Sequence, residues 1–156
     1  MAEAAAAAAA AALPPGIGVP SGTPTLQDLG NGNTLLRFPD GTKVQSMANG
    51  TVLKVSPDGT KTQMTKEGVT VVTRPDGTKE QINARGVKLL TNKDGSTVQT
   101  NPDGTVIEIS SDKKTRLQKN TDGTTILVRP DGSKLLTFAN GSQTEVAPDG
   151  TKKPVG

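Results

Sequence analysis

The stretch that decides the fold is residues 56–79, SPDGTKTQMTKEGVTVVTRPDGTK. It contains Gly59, Gly68 and Gly77, which are spaced nine residues apart, and two of them end a Pro-Asp-Gly triplet. An Asp-Gly pair between apolar-polar alternating runs is a strong short-range signal for a β-hairpin. A turn every nine residues leaves room for one short strand between turns, so the stretch predicts consecutive antiparallel strands.

The same spacing of glycines extends over most of the chain. It runs from Gly32 to Gly104, slips at Lys113 where the glycine is missing and one residue is inserted, and resumes from Gly123 to Gly150. The fold class predicted is therefore all-β, a single-layer antiparallel β-meander with a low-complexity N-terminal tail. The turn positions imply about fourteen short strands.

Composition divides the chain into three segments. Residues 1–12 are a poly-Ala tail, residues 13–30 are a Pro/Gly-rich linker, and residues 31–156 form the β-meander repeat domain. Alanine is the best helix former, but an isolated helix of this length is marginal in water. We therefore interpret residues 1–12 as a low-complexity tail that becomes helical when docked on a partner, or alternatively as a dedicated anchoring helix.

The strand register depends on loop length, and two interpretations stay open. Two-residue loops would gather the aliphatic residues on one face, with the glutamines on the other. Three-residue loops would alternate the two types in one row, namely Leu35, Gln45, Leu53, Gln63, Val71, Gln81, Leu89, Gln99 and Ile107. Hydrophobic segregation favours the first register, whereas Pro-Asp-Gly chemistry, with a type I turn and a G1 bulge, favours the second.

The chain is poor in apolar mass. Apolar residues make up 31% of it, against about 45–50% in ordinary domains. Phe38 and Phe138 are the only aromatic residues. We therefore expect no two-layer hydrophobic core, and both faces of the sheet should be exposed to solvent.

The absence of His and Cys excludes most catalytic and metal-binding chemistry. We expect no enzyme activity, no catalytic or metal-ligating residues, no cofactor and no small-molecule substrate. The net charge of +3 is spread through the repeats, which argues against nucleic acid. No apolar run of 18 residues is present, so no membrane contact is expected. The lack of disulfides favours the cytoplasm.

Candidate partner-binding residues are charged or aromatic positions beside the turns. Arg74 and Arg129 precede Pro-Asp-Gly and can bind carboxylates of a partner. The alternative interpretation is that they are solvent-exposed cationic residues at the ends of strands. Lys113, Lys114 and Arg116 form a basic cluster at the slip. The slip is interpreted as a bend that re-aims the sheet, or alternatively as a binding site.

The turns resemble those of a known family. Phe38-Pro-Asp-Gly-Thr-Lys43, Ala48-Asn-Gly-Thr-Val52, Arg74-Pro-Asp-Gly-Thr-Lys79, Arg129-Pro-Asp-Gly-Ser-Lys134 and Phe138-Ala-Asn-Gly141 are similar to repeats of the G-box family, the C-terminal domains of T-complex protein ten and CPAP. The resemblance covers about residues 31–153. It implies a single-layer meander that binds a proline-rich segment of a centriole-assembly protein. Phe38 is a further candidate partner-binding residue. The family usually places Phe or Tyr before Pro-Asp-Gly, and here only Phe38 does so, since the other copies have Ser56, Arg74, Asn101, Arg129 and Ala147.

The expected function is that of a non-enzymatic structural scaffold. Its exposed sheet would bind other proteins of a cytoskeletal assembly, in the axoneme of a cilium or flagellum or in the centriole. The alternatives are a MORN-like hairpin array and an extracellular or phage-type oligomeric β-fibre. MORN-like arrays carry Tyr-Glu-Gly-type repeats at a longer period, and this sequence lacks them.

Overall fold

The computed structural model describes residues 2–156. Helix α1 covers Ala2–Ala11 and a 3₁₀ turn covers Pro15–Ile17. The other elements are the strands β1 Thr25–Gly30, β2 Asn33–Arg37, β3 Lys43–Ser46, β4 Val52–Val55, β5 Lys61–Met64, β6 Thr70–Thr73, β7 Lys79–Ile82, β8 Lys88–Thr91, β9 Thr97–Thr100, β10 Val106–Ile109, β11 Arg116–Lys119, β12 Thr125–Val128, β13 Lys134–Thr137, β14 Gln143–Val146 and β15 Lys152–Val155. No helix in this part of the chain has the length and apolar content needed to cross a membrane.

The strands divide between two compact units that meet in sequence at Ala84 and Arg85. In unit 1, β1 to β7 follow chain order, and each pairs antiparallel with the next. In unit 2, β8 to β15 do the same. The predicted fold class, a single-layer antiparallel β-meander, is confirmed.

The first strand lies inside the segment that composition describes as a linker. β1 pairs with β2 through Leu26 and Leu36, and its register shifts between Asp28 and Gly30. The main-chain N–H of Gly30 donates to the Asp28 carboxylate at 2.8 Å. A hairpin turn needs a strand on each side, so the first turn, beside Gly32, implies this extra strand.

The repeats share a common turn, and residues 101–105 illustrate it. The N–H of Gly104 donates to the carbonyl of Asn101 at 3.0 Å, and the N–H of Asn101 donates to the carbonyl of Thr105 at 2.9 Å. Gly104 has φ of 92°, the left-handed region that glycine tolerates best. The Asp103 carboxylate accepts the N–H of Thr105 at 2.8 Å. This is the bulged three-residue loop that Pro-Asp-Gly chemistry predicts.

Loop length settles the strand register in favour of the second interpretation. Leu35 pairs with Gln45, and Gln45 pairs in turn with Leu53. The alternation continues in both units, through Leu53–Gln63 and Leu89–Gln99. The register with fully segregated aliphatic residues is wrong, because turn geometry decides the pairing where neither face is fully buried.

The slip is absorbed by a loop of unit 2 and leaves the ladder intact. The N–H of Ser110 donates to the carbonyl of Thr115 at 3.0 Å, and Lys113 takes the left-handed position with φ of 63°. Ile109 then pairs with Arg116 in regular register. The inserted residue therefore lengthens the turn, and the strands beside it contain no bulge.

The buried apolar residues form one small cluster in unit 1. It consists of Ala6, Ile17, Leu36, Phe38, Val44 and Val52, with Ala9, Ala10, Leu13 and Met64 packed against it. A helix that is apolar on all sides is stable only when it is buried. The poly-Ala segment packs one face on the sheet of its own unit, through Ala6, Ala9 and Ala10. Ala6 is only 1% exposed, whereas Ala4, Ala5, Ala7 and Ala8 are exposed.

Candidate functional site

One surface of unit 1 holds the N-terminal segment of the chain. We call this surface the cradle and define it by Leu36, Val44, Val52, Lys54 and Met64. Leu36 pairs with Val44, which pairs with Lys54, so these side chains share one face of the sheet. Val52 and Met64 pair directly on the same face. Strand alternation thus presents four apolar side chains around one lysine.

The segment docked on the cradle is Leu13–Gly18, with the sequence LPPGIG. Ile17 is 3% exposed and belongs to the buried cluster. Lys54 Nζ donates to the carbonyls of Gly18 at 2.7 Å and of Ile17 at 3.2 Å. The cradle therefore holds its segment through one apolar side chain and two charge-assisted bonds to the main chain.

The fit at Gly16 is close. A Cβ atom added at this residue would lie 2.8 Å from Met64 Cε, inside van der Waals contact. A groove of about 350 Å³ continues along the C-terminal end of α1, between Leu13 and Pro14 on one side and Met47 and Val52 on the other. A side chain at residue 16 would therefore have to displace the Met64 methyl group, which lies at the end of a flexible side chain.

Unit 2 carries a second apolar row, which we call the leucine strip: Leu117, Leu127 and Leu135. Leu117 pairs with Leu127, and Leu127 pairs with Leu135, on three adjacent strands. All three residues are partly exposed. Val98, Leu117 and Leu127 line a groove of about 370 Å³, whose rim includes Ser96. The elements of unit 2 are all strands within the described residues.

Two ion pairs flank the leucine strip. Glu108 pairs across the ladder with Leu117, and Glu145 pairs with Leu135. Lys119 Nζ lies 2.6 Å from Glu108 Oε1, and Arg129 Nη1 lies 2.5 Å from Glu145 Oε1. Exposed pairs of this kind stabilise by only about 0–1 kcal/mol each. Their main effect is to hold long polar side chains at both ends of an apolar row.

Beside Arg129, the turn at Asp131 is held by hydrogen bonds. The Ser133 hydroxyl and N–H donate to Asp131 Oδ1 at 2.6 and 2.8 Å, and Arg129 Nη1 donates to the Ser133 hydroxyl at 3.3 Å. The bonds from Ser133, with a smaller contribution from the Arg129 charge, hold the pKa of Asp131 below its ordinary value. A groove of about 300 Å³ opens here, lined also by Pro148 and Lys153.

The predicted site residues lie in separate places within the two units. In unit 1, Phe38 is 5% exposed and belongs to the buried cluster that also contains Ala6 and Ile17. Arg74 forms an ion pair with Glu80 at 3.0 Å, in the same unit. In unit 2, Arg129 lies at one end of the leucine strip.

The basic residues at the slip are tied to the loop and strand around them. Lys113 Nζ donates to the carbonyl of Gly95 at 2.5 Å, and Arg116 Nη2 donates to the Gln118 side chain at 3.2 Å. The main-chain N–H of Lys114 donates to the Asp112 carboxylate at 2.9 Å. A partner-binding role for the candidate residues stays a prediction.

Sequence reasoning missed three important residues. Ile17 stands alone between glycines and shows no periodicity, and Lys54 reads as an ordinary strand lysine. Leu127 joins the leucine strip only in the three-residue-loop register. Within residues 2–156, no group of three or more His, Cys, Asp or Glu side chains is placed to hold a metal ion.

Solved structures provide the comparison with known proteins. The TCP10 domain of Danio rerio CPAP, in complex with a STIL peptide, matches with a TM-score of 0.75 and 23% identity, over 85% of this chain and 74% of that chain. The TCP domain of Drosophila melanogaster SAS-4, in complex with a proline-rich motif of Ana2, matches with a TM-score of 0.79 and 18% identity, over 92% and 98%. The G-box domain of the microcephaly protein CPAP gives 0.70 and 19%, over 86% and 93%.

No protein-family model matches the chain, and no curated protein matches it by sequence. The likeness therefore lies in the arrangement of the strands and turns, which agrees with the resemblance of the Pro-Asp-Gly repeats. This chain has the fold of the TCP10, or G-box, domain.

Proposed function

We propose that this chain is a non-enzymatic scaffold module that binds a proline-containing segment of a partner protein through the leucine strip. The observation that carries the proposal is an open row of aliphatic side chains on a single-layer sheet, bounded by ion pairs at both ends. Such a row fits an extended peptide that inserts apolar side chains along it.

The cradle supports the chemistry that we assign to the partner. There, the same kind of sheet holds a Pro-Pro-Gly segment by burying Ile17 and by donating from Lys54 to main-chain carbonyls. At the leucine strip, Arg129 is the candidate donor. A guanidinium carries five N–H donors, so Arg129 can hold Glu145 and still donate to a peptide carbonyl.

The assembly that we propose is a cytoskeletal one, in the centriole or in the axoneme of a cilium or flagellum. CPAP and SAS-4 domains of this fold have been solved with a STIL peptide and with a proline-rich motif of Ana2. Partners of this chain would accordingly be proteins, without nucleic acid, membrane or a small-molecule substrate. Recognition of proline-rich segments benefits from their preformed extended conformation.

The test is peptide binding to the full chain, measured by fluorescence anisotropy with the STIL peptide and the Ana2 proline-rich motif as probes. Leu127→Asp places a charge in the centre of the leucine strip and should weaken binding at least tenfold. Ile126→Asp is the matched control. It alters the adjacent residue of the same strand, which faces the other side of the sheet and is also partly exposed.

Equal loss of binding in the two variants would mean that the substitutions act through stability, and circular dichroism would detect this. Unchanged binding of Leu127→Asp would rule out the leucine strip as the contact surface. Cross-linking of the intact chain in centriolar and ciliary preparations then identifies the natural partner. Cross-links from Lys119 and Lys153, which lie at the two ends of the strip, are expected.

A further inference from the structure

The N-terminal segment binds the cradle in the manner of a peptide ligand. Its contacts with the sheet are side-chain packing and the two bonds from Lys54. Its main-chain bonds, in the described part of the chain, close on the segment itself: Leu13 N–H to the Ala10 carbonyl at 3.2 Å, and Ile17 N–H to the Pro14 carbonyl at 3.1 Å. The segment can leave the sheet without breaking a ladder bond.

The strands of the cradle are paired with one another independently of the segment. Leu36, Val44, Val52 and Lys54 lie on strands β2 to β4, whose ladder pairs are made within the sheet. The turns that join these strands carry their own bonds, such as Thr42 N–H to the Asp40 carboxylate at 2.8 Å. Release of residues 13–18 would therefore uncover a complete binding site.

We propose that the cradle is a second peptide-binding site, filled in cis by Leu13–Gly18, and that a partner carrying a Pro-Pro-Gly-aliphatic-Gly segment binds there when the cis segment leaves. The proline pair limits the conformations of the free peptide. The glycine allows close approach to Met64, and the aliphatic side chain fills the place of Ile17. The carbonyl of that aliphatic residue and the carbonyl of the glycine after it accept from Lys54. This site is in unit 1 and does not depend on the leucine strip.

The cis segment competes with the partner for the cradle and so raises the partner concentration that is needed for binding. A tethered ligand acts at an effective concentration of about 1 mM when its linker is short and flexible. A partner with the same contacts therefore competes poorly until the tethered copy is weakened or displaced. The N-terminal segment would thus regulate access to the cradle.

The probe for the test is a labelled peptide of residues 11–20, AALPPGIGVP. Full-length protein with Ile17→Asp, which weakens the cis segment and leaves the cradle unchanged, should bind this peptide at least tenfold more tightly than the unaltered protein. Val19→Asp is the matched control because Val19 is 46% exposed, and it should bind as weakly as the unaltered protein. Adding Lys54→Ala to Ile17→Asp should abolish the gain.

Failure of folded Ile17→Asp protein to bind the peptide would overturn the proposal. Gly16→Val provides a second release variant, because its Cβ would contact Met64, and it should give the same gain. Hydrogen exchange of the unaltered protein provides a test without substitutions. The N–H of Ile17 should exchange faster than those of β3, whereas equal rates would show that the segment opens only on unfolding and would refute a displaceable ligand.

A second copy of this chain is the competing occupant. Sedimentation of the unaltered protein over a range of concentrations should show a monomer. A concentration-dependent dimer that Ile17→Asp abolishes would mean that copies exchange their N-terminal segments. That outcome would overturn the assignment of the cradle to a foreign partner.

Discussion

Replacement of Leu36 by alanine tests whether the small cluster under α1 is the main apolar stabiliser of unit 1. Leu36 is 2% exposed and is among the largest fully buried side chains. Leucine-to-alanine changes in a buried site cost about 2–5 kcal/mol, depending on how far the surroundings collapse into the cavity. α1 makes no strand-type ladder with the sheet and can settle into the gap, so we expect about 2–3 kcal/mol.

Leu135→Ala is the control with the same change of side chain. Leu135 lies in the leucine strip, is partly exposed and faces solvent, so its truncation leaves an open surface and no closed cavity. Only part of the transfer free energy is then lost, about 1 kcal/mol. The expected difference between the two variants is therefore about 1–2 kcal/mol in the free energy of unfolding.

The assay is urea unfolding of the full chain by circular dichroism, combined with hydrogen exchange resolved by peptide. In a repeat array, stability is a sum of local and nearest-neighbour terms. Leu36→Ala should therefore accelerate exchange in β2 to β4, and Leu135→Ala in β12 to β14. An equal cost for the two variants, or a uniform change of exchange along the chain, would refute the view that the cluster stabilises unit 1 locally.

Two further predictions concern the turns. Hydrogen bonds from the Thr60 N–H and, to a smaller extent, from the Thr60 hydroxyl hold the pKa of Asp58 below its ordinary value of 3.8. The Asp58 carboxylate therefore stabilises the fold above about pH 4, and this stabilisation is lost as the pH falls through the lowered pKa. Asp58→Asn, whose amide oxygen still accepts the bond, should melt with less dependence on acid between pH 5 and pH 2, and an unchanged pH profile would contradict this. Gly95→Ala and Gly104→Ala should each lose about 1–2 kcal/mol of stability from left-handed strain. Gly104→Ala should lose more, because its Cβ would lie 2.7 Å from Thr121 Cγ2 whereas nothing lies within 4 Å at Gly95; equal losses in urea unfolding would refute the clash.

The register illustrates what sequence chemistry could and could not decide. Pro-Asp-Gly specifies the three-residue loop, and each loop then fixes the partner of every residue in the next strand, as in Leu35–Gln45. Hydrophobic segregation pointed to the other register. Hydrophobic segregation does not decide the register here, because a single-layer sheet leaves both faces partly exposed to solvent. Placing glutamine and leucine side chains in the same row therefore costs little free energy. Local turn geometry therefore prevails.

The docking of the N-terminal segment could not be predicted from the sequence. An alanine helix is apolar on every side, so no pattern indicates which face packs. Ile17 lies 37 residues before Lys54 in sequence, to which its carbonyl is bonded, and Ile17 lies outside the repeats. Contacts made by non-repeating residues carry no periodic signal, and this is why the cradle appears only in three dimensions.

The position of the stabilising interactions explains why the leucine strip is better suited to a partner than to folding. Turn bonds such as Thr124 N–H to Asp122 at 2.8 Å, together with strand pairing, act within one or two repeats. A sheet held in this way needs no second layer. Leu117, Leu127 and Leu135 then gain little by staying half exposed in a row, and adjoining exposed apolar groups favour aggregation unless something covers them. In unit 1, the corresponding apolar residues are covered by α1 and Ile17. This difference between the units is why we propose that a segment of another protein covers the leucine strip.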